Sequence, residues 1–113
     1  MGLVTPKDVK RGDIWLARLD PTQGSEIQKT RPCLIMSPDS MNQSLRTVTA
    51  MPLTSAGHDA PFRLSVRIAD RDGLLLGDQL RTLAKHRLVK NLGTIDGATL
   101  SSALAILREM FEE

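Results

Sequence analysis

The chain contains no tyrosine, and its aromatic side chains are confined to Trp15, Phe62 and Phe111. Domains that read single-stranded RNA by stacking successive bases on an aromatic platform need more than that. Any nucleic-acid role must therefore rest on charge and hydrogen bonding. Cysteine is equally scarce: Cys33 stands alone, which excludes an internal disulfide and a cysteine-built zinc site. It lies in an apolar run, where a thiol ordinarily serves as packing. His58 and His86 are far apart in the chain, and no local spacing of His, Asp and Glu matches a metal motif. A hydrolase made from these residues is expected to need no metal and no other cofactor. No glycine-rich loop follows a strand and opens a helix, which sets nucleoside triphosphate chemistry aside. A G-x-S-x-G elbow is also absent. No apolar run is long enough to cross a bilayer and the first residues lack a secretory core, so a soluble cytoplasmic protein is expected, away from membranes.

What is present is enough for one domain. The 113 residues, 41% of them apolar, can build a single core, with a surface-to-volume ratio at which association helps. The net charge of +2 says little, but its distribution says more. Between Asp78 and Asp96 there is no acidic residue, while Arg81, Lys85, His86, Arg87 and Lys90 fall in the gap. Such a block attracts a polyanion or forms a solvated basic face.

Residues 1–10 show no sustained period and read as a flexible arm before a single domain at 11–113. Short strands follow: Asp13 to Leu19; Cys33 to Met36, stopped by Ser37-Pro38-Asp39; and Thr47 to Met51, after a loop around Met41-Asn42-Gln43. Phe62, Leu64, Val66 and Ile68 alternate with Arg63, Ser65 and Arg67, the pattern of a half-buried strand. Arg71-Asp72-Gly73 reads as a turn, and Leu74–Leu76 and Gln79–Leu83 as strands broken at Gly77-Asp78. Five or six close-set strands predict a small barrel or curled sheet. The period then changes: Asp96 caps a helix from Gly97, with Leu100, Ala103, Leu104, Leu107, Met110 and Phe111 in one apolar stripe.

Three polar clusters adjoin these strands: Gly24-Ser25-Glu26 with Arg31-Pro32, Thr54-Ser55, and Gly77-Asp78-Gln79-Leu80-Arg81-Thr82. Singly, each is what loops carry by default. In order, together with Arg11-Gly12-Asp13-Ile14-Trp15, Leu19-Asp20-Pro21-Thr22-Gln23-Gly24, Cys33-Leu34-Ile35-Met36-Ser37-Pro38, Asn42, Met51-Pro52-Leu53 and Pro61-Phe62, they resemble the MazF/PemK/Kid toxins over roughly residues 11–111. Ile27 departs from the glutamine that many members carry after the glutamate.

The resemblance implies a mainly β fold, an SH3-like barrel of the CcdB/PemK type with a C-terminal helix. It implies a homodimer that cuts single-stranded RNA at short sequences, and a cognate antitoxin with an acidic, disordered C-terminal segment, through which alone DNA would be contacted. Metal-free cleavage uses the 2′-hydroxyl as nucleophile and leaves a 2′,3′-cyclic phosphate and a 5′-hydroxyl. The site must help remove a proton, stabilise the phosphorane and protonate the leaving oxygen. Arg31 matches the family's catalytic arginine, its planar fork suited to phosphate oxygens. Thr54 matches the catalytic threonine, and Glu26 a loop glutamate that would act as base or hold Arg31. Gln28, Lys29, Asp78, Gln79, Arg81, Lys85, His86 and Arg87 are the expected RNA contacts. Two other readings keep the fold: a CcdB-like toxin that binds gyrase, and an inactive relative that binds nucleic acid or antitoxin. The gyrase contact depends on a Trp-Gly-Ile ending of the last helix, whereas this chain ends Arg108-Glu109-Met110-Phe111-Glu112-Glu113 and has its one tryptophan at Trp15.

Overall fold

A computed structural model of the chain describes residues 8–19, 24 and 29–113. Seven strands and two helices make up its regular structure: β1 (Asp13–Arg18), β2 (Thr30–Ile35), α1 (Asp39–Ser44), β3 (Thr47–Thr54), β4 (Arg63–Ile68), β5 (Arg71–Leu76), β6 (Arg81–Ala84), β7 (Leu88–Thr94) and α2 (Gly97–Met110). All pairings are antiparallel, and the sheet runs β4-β5-β3-β2-β1-β7. The expected mainly β architecture with a C-terminal helix is the one observed.

The long strand β3 organises the sheet. Its first half pairs with β6 from Thr47 opposite Ala84 to Ala50 opposite Arg81. Its middle pairs with β2, Met51 opposite Leu34, and its last two residues pair with β5, Leu53 opposite Leu75 and Thr54 opposite Leu74. One strand therefore serves three neighbours, and the sheet curls around it.

Alternation along β1 and β2 sends side chains to two cores. Trp15, Ala17, Cys33 and Ile35 join Val48, Ala50, Leu83 and Leu88 on one face. Ile14, Leu34 and Met36 join Met51, Leu75 and Ala103 on the other, against which Leu100, Leu104 and Leu107 of α2 pack. Burial on both faces is why Cys33–Met36 reads as an unbroken apolar run. Helix α2 starts where its cap dictates: the Asp96 carboxylate accepts the Thr99 backbone N–H at 3.0 Å and the Thr99 hydroxyl at 2.7 Å, meeting donors that the first turn leaves unpaired. Phe111, expected in the apolar stripe, ends the helix 72% exposed.

Four sequence expectations shift. Val9 is 4% exposed within the first core and the Lys10 N–H donates to Asp13, so residues 8–10 are tied to the domain; residues 1–7 of the expected arm lie outside the described residues. The loop around Met41–Gln43 is the short helix α1, whose Asn42 is buried and donates to the Ser37 carbonyl at 2.9 Å. The β4–β5 turn falls on Ala69 and Asp70, both with positive φ (53° and 63°), as a two-residue hairpin with the twist of its strands requires. Arg71-Asp72-Gly73 is instead strand, and its glycine answers a close approach: a Cβ on Gly73 would sit 3.1 Å from Leu53 Cδ1 and 3.3 Å from the Thr54 carbonyl oxygen. Strand β7 was not expected, because only Leu88 of its seven residues is buried and no alternation marks it.

Candidate active site

Strand β2 begins at the rim of the sheet, and Arg31 is its second residue, opposite Ala17 of β1. Pro32 follows it, fixing the backbone that leads into the buried Cys33–Ile35 stretch. Thr54 is the last residue of β3 and is 5% exposed. It ends the strand because Ser55-Ala56-Gly57 turns back over it, with the Ala56 N–H donating to Thr54 Oγ1 at 3.2 Å. Arg31 and Thr54 meet in one cleft of about 470 Å3, lined also by Ile14, Pro32, Leu53, Ser55, Leu92 and the β4–β5 hairpin residues Val66 to Gly73 that face it. Its size suits a small-molecule or nucleotide ligand. Thr54 brings a hydroxyl whose oxygen already accepts a bond and whose proton has no acceptor among the described residues. The arginine brings a permanent cation with a planar donor fork. A cation and a hydroxyl donor in one cleft can hold a phosphate group and stabilise charge as it develops there.

The third cluster builds a brace beside this cleft. Asp78 sits in a single 3-10 turn (Gly77–Gln79), and Arg63 of β4 donates to both of its carboxylate oxygens at 2.9 Å. The remaining Arg63 nitrogen donates to the His58 carbonyl at 3.0 Å. Hydrogen bonds from Arg63 hold the Asp78 carboxyl below the usual carboxylate range, with partial burial opposing. One guanidinium thus joins the 55–62 loop, β4 and the Gly77–Gln79 turn. A Cβ at Gly77 would approach the Phe62 carbonyl oxygen to 2.4 Å, so only glycine lets the turn lie against the loop. Among the described residues no group of three or more His, Cys, Asp or Glu stands together as a metal ligand set.

Residues 10–111 match the family model of the PemK-like, MazF-like toxin of type II toxin–antitoxin systems. The chain is 49% identical over 106 residues to the endoribonuclease PemK of Escherichia coli, covering 88% of this chain and 80% of that protein. It is 37% identical over 90 residues to the endoribonuclease MazF of Staphylococcus epidermidis, covering 74% and 75%.

The chain belongs to the MazF/PemK family of toxins.

Solved structures carry the same fold: MazF from Deinococcus radiodurans superposes with a TM-score of 0.81 at 24% identity, over 92% of this toxin and 96% of that chain. A mycobacterial endoribonuclease in complex with its cognate antitoxin gives 0.72 at 24% identity, over 90% and 91%.

The basic block of this toxin is less uniform than its sequence suggests. Lys85, expected at the RNA, is 7% exposed and its ammonium donates to the Asn42 carbonyl, so it fastens α1 to the sheet. Asp78, expected at the RNA, has both oxygens engaged by Arg63. Arg81 opens β6 half-buried, Nη1 on the Leu19 carbonyl at 3.4 Å, and its charge offsets part of the burial that pushes the Cys33 thiol up to about 12. That thiol is buried and neutral, as its apolar setting implied. Gln79 is half-buried in the Asp78 turn, and Arg87, also half-buried, donates to the Arg18 carbonyl at 3.1 Å. Lys29 and His86 are exposed. Glu26 and Gln28 lie outside the described residues. Arg63 and Gly57 escaped the sequence reading: the former looks like the outward member of an alternating strand, the latter like any loop glycine.

Proposed function

We propose that this toxin is a metal-independent endoribonuclease acting as a homodimer on single-stranded RNA, neutralised by an antitoxin whose acidic segment enters the same site. The observation that carries the proposal is Arg31 and Thr54 lining one cleft, in a chain nearly half identical to an endoribonuclease PemK. The 2′-hydroxyl attacks the neighbouring phosphorus and the 5′-oxygen leaves, giving a cyclic phosphate and a 5′-hydroxyl end. Arg31 stabilises the additional negative charge on the phosphorane through its donor fork. An arginine is a poor base at neutral pH, so its part is charge stabilisation. The Thr54 hydroxyl donates to a phosphate oxygen, its own oxygen being fixed by the Ala56 N–H. Glu26 is the residue assigned to proton removal or to holding Arg31.

The test is cleavage of labelled single-stranded RNA in EDTA, with analysis of the product ends. Cyclic phosphate and 5′-hydroxyl termini are expected, with duplex RNA spared. Strict dependence on a divalent ion, or cutting of DNA in place of RNA, overturns the proposal.

A further inference from the structure

Both branches of the Thr54 side chain are set by the loop that follows it. Its Oγ1 accepts the Ala56 N–H at 3.2 Å, and a Cβ built on Gly57 would come to 3.0 Å from its methyl carbon. For a β-branched residue two such contacts fix χ1, and with it the direction of the hydroxyl. The loop itself has little to hold it: Ser55 to Asp59 are exposed and belong to no strand or helix, and no residue from 55 to 62 joins either core. Segments of that kind open locally at small cost. Arg63 ties down the far end. Its Nε and Nη2 donate to the two Asp78 oxygens at 2.9 Å, and Nη1 donates to the His58 carbonyl at 3.0 Å. The side chain making these bonds is 13% exposed. Its backbone N–H meets the Ala60 carbonyl at 3.2 Å, and the Gly77 N–H, next to Asp78, meets the Phe62 carbonyl at 3.0 Å.

We propose that Arg63 is a positioning residue for RNA cleavage: it clamps the 55–62 loop to the Gly77–Gln79 turn, and the clamped loop holds the Thr54 hydroxyl toward the Arg31 cleft. The inference rests on the reading that this toxin cuts RNA with the help of Thr54. Most exposed ion pairs contribute little, but a bidentate arginine–carboxylate pair with low exposure is the favourable case. The third bond, to a backbone carbonyl, turns the guanidinium into a joint between three segments, which the point charge of a lysine does not reproduce. Arg63 is not among the residues that line the Arg31 cleft, so its effect reaches the phosphate through Thr54. Because the loop lies outside both cores, releasing it disturbs the threonine far more than the fold. A misplaced hydroxyl slows the chemical step, whereas RNA still binds at Arg31; the loss therefore falls on kcat and leaves KM.

The test compares wild type, Arg63→Ala and Arg63→Lys in steady-state cleavage of a labelled single-stranded RNA and in hydrogen exchange of the 55–62 segment. Arg63→Ala should lower kcat on the order of tenfold with KM unchanged. Exchange across 55–62 should quicken on the order of tenfold, while the amides of β2 and β3 keep their protection. Arg63→Lys restores one bond to Asp78 and should recover part of the turnover. A folded Arg63→Ala protein with wild-type kcat overturns the clamp, even if its unfolding temperature drops, since that is what a purely structural role gives. A rise in KM alone overturns it too, by placing Arg63 at the RNA. So does a lower kcat with unchanged exchange in 55–62. If Arg63→Ala does not fold, Arg63→Lys decides: slower turnover with faster loop exchange supports the clamp, and wild-type values of both refute it. Wild type that cuts no RNA removes the ribonuclease reading and with it this role, whereas each of the other negative results sinks the clamp alone.

Discussion

Gly57 lies against the methyl group of Thr54: a Cβ built on the glycine would come within 3.0 Å of Thr54 Cγ2 and 3.2 Å of Leu74 Cδ1. The turn that leaves β3 is therefore pressed onto the side chain it positions, and the Ala56 N–H holds the hydroxyl from the other side. Gly57→Ala should push Thr54 from its place. Overpacking of this kind costs about 1–3 kcal/mol, so the fold should survive with a lower melting temperature while kcat falls more than KM rises. Thr54→Ser removes the methyl and keeps the hydroxyl, and it should restore part of the turnover in the Gly57→Ala background. Equal kcat in Gly57→Ala and wild type would show that the contact does not position Thr54.

Arg31→Ala should remove most activity, since losing one preorganised donor to a developing oxyanion costs on the order of 100-fold or more. Arg31→Lys should also be impaired, because a point charge replaces a planar fork. Both proteins should stay folded by circular dichroism. Near-wild-type turnover in Arg31→Ala would remove this residue from the chemistry.

Why the strand at Cys33–Met36 was legible in the sequence and the strand position of Asp72 was not comes down to the range of the signal; Arg31 itself was picked out by the ordered motifs of the family resemblance. Arg31-Pro32 precedes a run of residues buried on both faces, and such runs are visible as apolar composition; the helix from Gly97 is visible through its Asp96 cap and its spacing. Both signals are local. Asp72-Gly73 looks like turn chemistry, and its place in a strand follows from contacts with Leu53 and Thr54, some twenty residues away in the chain. Strand β7 has one buried residue and is held by backbone pairing to β1, which leaves no pattern in side chains. Lys85 misled for the same reason: a lysine in a basic run reads as solvated, and only the folded chain brings the Asn42 carbonyl to it. Local period and capping can be read directly, whereas register and burial of polar groups depend on partners distant in sequence.

Lys85 should accordingly behave as a stability residue. Replacing it by alanine leaves the buried Asn42 carbonyl without its donor, a loss of about 1–3 kcal/mol that thermal or urea unfolding would measure. The salt dependence of RNA binding should keep its slope, since a buried ammonium releases no counterions from RNA. A slope lower by about one phosphate contact in Lys85→Ala, with stability intact, would return Lys85 to the RNA surface.

Acid stability should reflect Asp78 and Asp96, both held below the usual carboxylate range, Asp78 first by Arg63 and Asp96 first by the Thr99 hydroxyl. A carboxylate whose pKa is lower in the folded state binds fewer protons there than in the unfolded chain. Its contribution is present above the ordinary carboxylate pKa of about 4 and is lost as pH falls through the folded value. Both groups are at least partly exposed, so solvent screening keeps each contribution small. Asp78→Asn should flatten stability between neutral pH and acid, and the difference from wild type should vanish at low pH, where wild-type Asp78 is itself protonated. Unfolding midpoints across that range check this; a constant gap between the two proteins at every pH would assign the loss to packing.

Assembly and control follow from the edges of the sheet. Among the described residues strand β7 ends the order of the sheet and carries Val89 and Leu92 exposed, and Leu92 also lines the Arg31 cleft. An apolar sheet edge beside a functional cleft is a surface that a small domain gains by covering, and a closed two-fold dimer covers it in both copies at once. Light scattering should therefore give about twice 12.4 kDa, and Leu92→Lys should shift the toxin toward monomer by placing a cation in the covered surface. The clefts of two subunits would then lie near one another, so the acidic antitoxin segment, ordering as it binds, should compete with RNA for the cationic side. Both associations should weaken as salt rises. Full activity from a strictly monomeric toxin at micromolar concentration would remove the dimer from the mechanism. An antitoxin peptide that neutralises without displacing RNA would leave the dimer standing and move the antitoxin to another surface.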